Sequence, residues 1–370
     1  SFWNLMQVDA GFRRDQLVTF GINLPQAAYP KPEARVQFFT RLLDQLRGTA
    51  GIQSVAALAG LPPKRQVDAN DTDIEGYTAP EKGPFENVDY YQAVTVGSLE
   101  ALGIPVVEGR SFEPVDESGG AVVLVNQTMA KTFWNGKSPI GARVRPGGPN
   151  TPWMTIVGVV RDVKQGGLEA KTGTELFFNL EQLPRVAGFA YSQMNVVMRT
   201  SLPVSAIASQ VQQAVASMDP SLPVIKLQTM DDVFSESAAR PRFLAQLLGG
   251  FALLALALAA VGTYGILSYL VTERRREIGI RMALGANRGT VLGMVMRQGM
   301  VLAVAGVAIG VLGAFGVNRV MSTLLFGVEP TDPATIAGVV AAIAGVALLA
   351  CYVPARRATL VDPMLVLRDE

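Results

Sequence analysis

The sequence predicts an α+β domain over residues 1–240 lying outside a membrane, followed by three transmembrane helices within 241–370, and three observations lead there. The first is composition. The 370 residues are 49% hydrophobic and only 17% charged, against ~25% in ordinary soluble domains, so part of the chain belongs in lipid. The same apolar content excludes disorder. The second is charge distribution. Residues 1–240 carry 21 Lys and Arg against 24 Asp and Glu, whereas residues 241–370 carry 11 basic residues, all Arg, against 7 acidic ones. The third is a set of charge-free runs of 30, 21 and 23 residues, at 243–272, 298–318 and 333–355. About 20 helical residues at ~1.5 Å each cross a ~30 Å hydrocarbon core, so each run is long enough to span. Buried helices of a soluble protein would show polar faces or interruptions that 251–261 and 339–350 lack.

The composition also excludes functions. The net charge of +1 gives no reason to expect nucleic acid as a partner. The absence of histidine removes Ser-His-Asp and Cys-His catalysis, His metal sites and imidazole pH switching. The only cysteine, Cys351, falls in the third span, so the outer domain has no intramolecular disulfide and must rest on its core. A bacterial cell envelope fits that usage.

Along the chain, Phe2, Trp3, Leu5 and Met6 form an aromatic-apolar cluster typical of a helix leaving a bilayer, which leads us to expect a membrane span ahead of Ser1. Leu17–Leu24 reads as a strand, Glu33–Arg47 as an amphipathic helix and Ile52–Ala59 as a strand. Met194–Thr200, Val204–Met218 and Val224–Gln228 repeat that β-α-β order. Two such units pair into one open sheet with both helices on one face. The segment 61–190 between them is then an inserted subdomain with strands at Val88–Val96, Ala121–Val125, Met154–Val163 and Glu175–Leu180. Its turn signals are Leu61-Pro62-Pro63, Pro146-Gly147-Gly148-Pro149 and Gly166-Gly167.

Chemical motifs are few. Gly136-Lys137-Ser138 ends like a phosphate-binding loop, but the position that needs the earlier Gly holds Lys131, so the chain shows no nucleotide loop of its own. Asp68, Asp71, Asp73 and Glu75 begin like a calcium loop but lack its Gly and its terminal Glu, and read as a solvated polar loop. No catalytic residue, metal site or cofactor site is assigned.

Arginine sets the topology. Arg274, Arg275, Arg276, Arg281, Arg288 and Arg297 follow the first span and Arg356, Arg357 and Arg368 follow the third, while Arg319 alone sits in the intervening loop with Glu329 and Asp332. Arginine favours the cytoplasmic side, so the first loop and the C-terminus are expected inside and the large domain outside. None of the spans holds a charge, which argues against an ion pathway. Residues 273–288 form a short helix and a turn. Glu277 and Arg281 stand at i,i+4 in the favourable order, Ile278 and Met282 line one side, Gly285 suits a helix C-terminus and Asn287 the next N-cap. Two uses remain open from residue types: a lipid-phosphate anchor, or a docking surface for a cytoplasmic partner.

Arg275–Ala286 resembles the cytoplasmic signature of the MacB/FtsX-like ABC permease family. The tail from Pro354-Ala355-Arg356-Arg357-Ala358 to Leu367-Arg368-Asp369-Glu370 resembles that family's ending. Gly109-Arg110-Ser111-Phe112, Val123–Thr128, Phe133-Trp134, Pro139-Ile140-Gly141 and Val157–Val163 are similar to its periplasmic core domain. Leu324-Leu325-Phe326-Gly327 with Pro330–Pro333 is similar to the duplicated orphan permeases of acidobacteria, which implies that the chain is half of a longer one. The resemblance implies a porter-like subdomain (1–60 and 191–235), an inserted subdomain (61–190), an FtsX-like membrane domain (241–370) and one further preceding span. It implies a bacterial inner-membrane location, a second permease copy, a periplasmic adaptor or envelope enzyme, and a separate cytoplasmic ABC ATPase that binds the ATP.

In that reading the chain is a permease subunit for export or mechanotransmission and not itself an enzyme. Glu273, Arg274, Arg275, Arg276, Glu277 and Arg281 are the expected coupling charges, and Ile278, Gly279, Leu284 and Gly285 shape the hairpin. Gly306 and Gly310, continued by Gly313 and Gly316, offer a small-residue surface for helix packing. The alternatives are a regulator that activates an envelope enzyme and a passive membrane-anchored binding protein.

Overall fold

The structure is a computed structural model and describes residues 8–168, 170–284, 287–321 and 333–358. The aromatic cluster at 2–6, Gly285, the 324–332 motif and the tail beyond 358 lie outside the described residues. The chain divides into two compact units, Ser1–Arg240 and Pro241–Glu370.

The first unit runs β1 (Leu17–Asn23), α1 (Pro32–Arg47), β2 (Ile52–Leu58), β3 (Asn70–Ile74), β4 (Asn87–Val88), β5 (Tyr90–Val94), α2 (Ser98–Leu102), β6 (Val106–Gly109), β7 (Val122–Asn126), α3 (Gln127–Trp134), β8 (Arg143–Pro146), β9 (Met154–Val160), β10 (Glu175–Asn179), α4 (Leu183–Ala187), β11 (Gln193–Thr200), α5 (Val204–Met218), β12 (Ile225–Thr229) and α6 (Met230–Ser237). The strands hydrogen-bond in the order β12-β1-β11-β2-β5-β10-β7-β9-β8-β3-β4, with β6 also on β9. The β12-β1-β11-β2 part is antiparallel throughout and comes from the two β-α-β units. It joins the strands of the inserted segment through one bridge, Leu58 to Val94.

Side-chain alternation explains the layers. Val18, Phe20 and Ile22 of β1 face α1 and α5, whose Phe39, Leu42, Leu43, Leu46, Ile207 and Val211 share one core. Pro32 opens α1 with its φ already set for a helix, and Gly48 caps its end. Both long helices therefore lie on one sheet face, as expected. The opposite face is buried as well. Leu17, Ala56, Leu58 and Val197 pack on Leu99 and Leu102 of α2 and on Met230, Val233 and Phe234 of α6. A helix from the segment between the two β-α-β units thus roofs the sheet that they form, which the sequence pattern did not signal.

Local differences have local causes. The single strand expected at 88–96 breaks at Asp89, whose carboxylate accepts from the Thr174 backbone N–H at 2.7 Å. Of the acidic run expected as a loop, Asp71 and Asp73 lie on strand β3, while Asp68 and Glu75 flank it; Asp73 pairs with Arg145 at 2.5 Å and Glu75 with Arg143, both from β8. Gly136-Lys137-Ser138 is the turn after α3, with Asn135 and Gly136 at φ 50° and 81°.

In the second unit α7 (Ala239–Glu273), α8 (Arg275–Ala283), α9 (Arg288–Met321) and α10 (Pro333–Ala358) follow. Among the described residues, three helices are long and apolar enough to cross a membrane, over Arg242–Glu273, Gly289–Gly313 and Ala337–Arg357. The second starts before Arg297, earlier than the charge-free run, because Val291, Leu292, Val295 and Met296 extend the apolar stretch. The helices meet at Gly299. A Cβ there would stand 2.2 Å from Cys351 Sγ and 3.1 Å from Leu267 Cδ1, so only Gly permits this approach of α7, α9 and α10. Leu267 and Cys351 are fully buried. Gly299→Val is expected to pry the junction open and raise the maleimide labelling rate of Cys351 in membranes by about tenfold. An unchanged rate removes the junction. A Cβ at Gly306, Gly310 or Gly313 meets no atom of the described residues within 4 Å, and Gly316 lies further along α9.

Candidate functional site: the hairpin between the first and second spans

The hairpin begins where α7 ends at Glu273. Arg274 leaves helical geometry with φ −95° and ψ 15°, its N–H still bonded to the Leu270 carbonyl at 3.1 Å, and α8 starts at Arg275. The break re-aims the chain within one residue, so α8 is a separate short helix and not a continuation of the span.

Ile278 anchors it. Its side chain is 1% exposed and packs with Val291 and Val295 of α9 and Ala355 of α10, with Val271 and Met282 around them. The expected Ile278–Met282 side is therefore the buried one. Burying an aliphatic side chain of this size contributes about 1.5–3 kcal/mol, enough to fix the orientation of a nine-residue helix. The next helix starts on a genuine cap: the backbone N–H and hydroxyl of Thr290 both donate to Asn287 Oδ1, at 2.8 and 2.9 Å. Asn287→Ala is expected to cost about 1 kcal/mol of stability, read as a lower melting temperature.

The other side of α8 is open. Glu273, Arg274, Arg276, Glu277 and Arg281 are exposed, and Gly279 lies within the helix. Arg281 Nη2 donates to Glu277 Oε1 at 2.5 Å, while its Nη1 reaches Met294 Sδ of α9 at 3.1 Å. The Arg281 side chain therefore ties the exposed face of α8 to the following helix. Ile280 is 46% and Leu284 82% exposed. Leu284 caps α8 but does not pack inside the hairpin, unlike the shaping role expected for it. The result is an i, i+3, i+4, i+7 stripe of Glu277, Ile280, Arg281 and Leu284, an ion pair flanked by two uncovered aliphatic side chains. The 3.6-residue spacing is the signal for Ile280, which the expected coupling residues omit, while Leu284 belongs to them. Behind the hairpin, Arg357 Nη1 donates to the Tyr264 hydroxyl at 2.8 Å, linking α10 to α7 near the same end of the unit.

The comparisons with known proteins cover the whole arrangement. Residues 9–214 match the MacB-like periplasmic core domain family, and residues 249–363 match the FtsX-like permease C-terminal family. A pyoverdine export ATP-binding/permease protein, PvdT, of Pseudomonas savastanoi pv. phaseolicola is 25% identical over 99% of this chain and 54% of its own length. A macrolide export ATP-binding/permease protein, MacB, of Chromobacterium violaceum is 30% identical over 77% of this chain and 45% of its own. The uncharacterized ABC transporter permease YknZ of Bacillus subtilis is 22% identical over 93% of this chain and 82% of its own. The chain thus spans about half the length of the export ATP-binding/permease relatives it matches. Among solved structures, the periplasmic region of MacB from Actinobacillus actinomycetemcomitans aligns at a TM-score of 0.42 with 12% identity, covering 63% of this chain and 97% of that one. The chain belongs to the family of ABC transporter permeases that join a MacB-like periplasmic core domain to an FtsX-like permease domain.

Proposed function

We propose that this chain is the permease subunit of an ABC-type export or mechanotransmission complex, in which a separate cytoplasmic ATPase drives movement of the outer domain. The observation that carries the reading is α8. It is anchored from behind by buried Ile278 and offers Glu277, Ile280, Arg281 and Leu284 outward. A lipid anchor needs charge alone. A lever also needs a rigid mount and an apolar contact, and both are built into this helix. The export names carried by the PvdT and MacB relatives support the export class.

In this reading the chain sits in the bacterial inner membrane with residues 1–240 in the periplasm and the C-terminus in the cytoplasm. ATP binds to the partner and this chain holds no cofactor. A second permease copy completes the membrane unit, and a periplasmic adaptor or envelope enzyme receives the motion. Lipid surrounds the exposed Leu253, Leu254, Leu258 and Val261 of α7.

The test uses the chain and its ATPase together in nanodiscs. Leu284→Asp leaves folding intact, because the side chain is already 82% exposed, and is expected to cut stimulated ATP hydrolysis about tenfold or more by placing a charge in a contact otherwise apolar. Full stimulation in both Leu284→Asp and Ile280→Asp sinks the coupling reading.

A further inference from the structure

Where α7 and α10 both finish, the second unit carries a polar contact that the hairpin does not use. Arg357 Nη1 of α10 donates to the hydroxyl of Tyr264 on α7 at 2.8 Å. Among the described residues of this unit the one ion pair joins Glu277 to Arg281, so the Arg357 charge has a neutral phenol for its partner and no carboxylate. A guanidinium has five N–H donors and no acceptor, so most of its donors stay open. The phenol oxygen, having accepted from Arg357, keeps its own proton to donate. A charged donor and a neutral one therefore stand side by side with no acceptor between them.

Packing on either side holds the pair in place. Leu267, one turn beyond Tyr264, is fully buried, and so are Cys351 and Ala355 of α10. Gly299 lets Leu267 and Cys351 come together, and Ala355 packs with Ile278, Val291 and Val295. Tyr264 itself is half-buried and Arg357 exposed, so the donors are fixed but open. Preorganised donors reduce the ordering cost of binding.

The level in the bilayer follows from a separate observation. Residues 241–370 hold three tyrosines, Tyr264, Tyr269 and Tyr352, and no tryptophan. All three stand toward this end of α7 and α10, and Tyr269 and Tyr352 are exposed. Tyrosine rings favour the headgroup level. Arg357 closes the apolar stretch Ala337–Arg357. The Tyr264–Arg357 pair thus stands where hydrocarbon gives way to headgroups. One turn deeper on the same helix sides, at i−3 and i−4, are Val261 and Val353, 68% and 45% exposed, with Leu349 a turn deeper again. Donors at the edge and uncovered aliphatic side chains below them match the two ends of a phospholipid. Its phosphodiester offers two oxygens to a guanidinium, which binds such groups in bidentate fashion.

We infer that Tyr264 and Arg357 form a binding site for the phosphate of one anionic phospholipid, whose acyl chains run along Val261, Val353 and Leu349. The charges of Arg276 and Arg356 at the same end favour a lipid of net negative charge over a zwitterionic one. The site rests on these helices crossing a bilayer and is independent of the ATPase coupling proposed above.

Native mass spectrometry of the full chain in detergent, with no ATPase present, tests it by titration with phosphatidylglycerol and with phosphatidylcholine of the same acyl chains. The first phosphatidylglycerol is expected to bind about tenfold more tightly than the first phosphatidylcholine. Arg357→Gln is expected to lose about tenfold in phosphatidylglycerol affinity, as loss of a charge-assisted hydrogen bond requires. Tyr264→Phe keeps every charge and is expected to lose about fivefold, the worth of one hydrogen bond. Arg274→Gln, which removes an exposed arginine from the same end, is expected to change the affinity by less than about twofold. Equal affinity for the two lipids, or unchanged phosphatidylglycerol affinity in Arg357→Gln or in Tyr264→Phe, overturns the site. So does a loss in Arg274→Gln equal to that in Arg357→Gln, which marks diffuse attraction to a basic surface. Since no ATPase is present, a negative result leaves the coupling reading untouched, and failure of coupling leaves this one untouched.

Discussion

Reversing one charge of the exposed pair on α8, by Glu277→Arg or by Arg281→Glu, is expected to reduce partner-stimulated ATP hydrolysis to its basal level while the chain inserts and folds as before. The pair contributes little to the helix itself. Both side chains are about half exposed, and an i,i+4 pair of this kind is worth about 0.3–0.5 kcal/mol. A cytoplasmic partner that docks on the same stripe meets a like charge after reversal, which costs several kcal/mol at an interface, or a factor on the order of a hundred. The double exchange Glu277→Arg with Arg281→Glu separates the two effects. It restores an ion pair within α8, though in the less favourable order, but presents inverted polarity to the partner. Continued loss of stimulation in the double exchange places the role of the pair at the interface. Recovery in the double exchange, or full stimulation in both single variants, removes the docking role from this pair. Arg281 has a second attachment, to Met294 Sδ, so its reversal is expected to be the more damaging of the two.

That hairpin was largely legible in the sequence because its physics is local. The Glu277–Arg281 spacing, the Ile278–Met282 side and the Asn287 cap all act within one or two turns, and the structure holds each of them. Strand β1 at Leu17–Asn23 and helix α5 at Val204–Met218 were legible for the same reason, with apolar residues repeating at the period of the element. The remainder depends on partners far along the chain. Asn70–Ile74 has poor strand residues and is held as a strand by its backbone pairing with β8 and β4, with Arg145 of β8 beside its Asp73. Ser98–Leu102 is too short to show a helical period and is defined by the sheet it roofs. Gly299 looks like any membrane glycine until Cys351 and Leu267 close on it.

Glu175 is the other feature that sequence could not disclose, and it sets the second large effect. It lies on β10, fully buried, and accepts a hydrogen bond from Gln165 Nε2 at 2.6 Å. Its nearest cation, Arg65 Nη1, is 3.8 Å away, beyond a charge-assisted hydrogen bond. Arg65 is engaged elsewhere: its Nη2 donates to the Tyr91 carbonyl at 2.8 Å and its guanidinium stands over the Tyr90 ring at 5.1 Å. Burial therefore outweighs the Arg65 attraction, and with Asp162 adding to it, the Glu175 carboxyl is pushed up to about 8 from an ordinary 4.5. The sign follows. Between those values the folded chain keeps a proton that the unfolded chain releases. The contribution is full below about 4.5 and is lost progressively as the pH rises to about 8.

Glu175→Gln mimics the protonated form at every pH. It is expected to melt close to the wild type at pH 5 and to be more stable at pH 9, by a few kcal/mol. At about 2–4 °C per kcal/mol for a domain of this size, the gap is readily read from tryptophan fluorescence melts of the full chain in detergent. Glu181, raised to about 7 in the same way, leaves a smaller slope in the variant. The opposite result is equally definite. If Glu175 is ionised and paired with Arg65, Glu175→Gln strands a buried guanidinium and lowers stability by about 3–5 kcal/mol across the whole range. The variant therefore decides whether the core under β5 and β10 is held by a neutral carboxyl or by a buried ion pair.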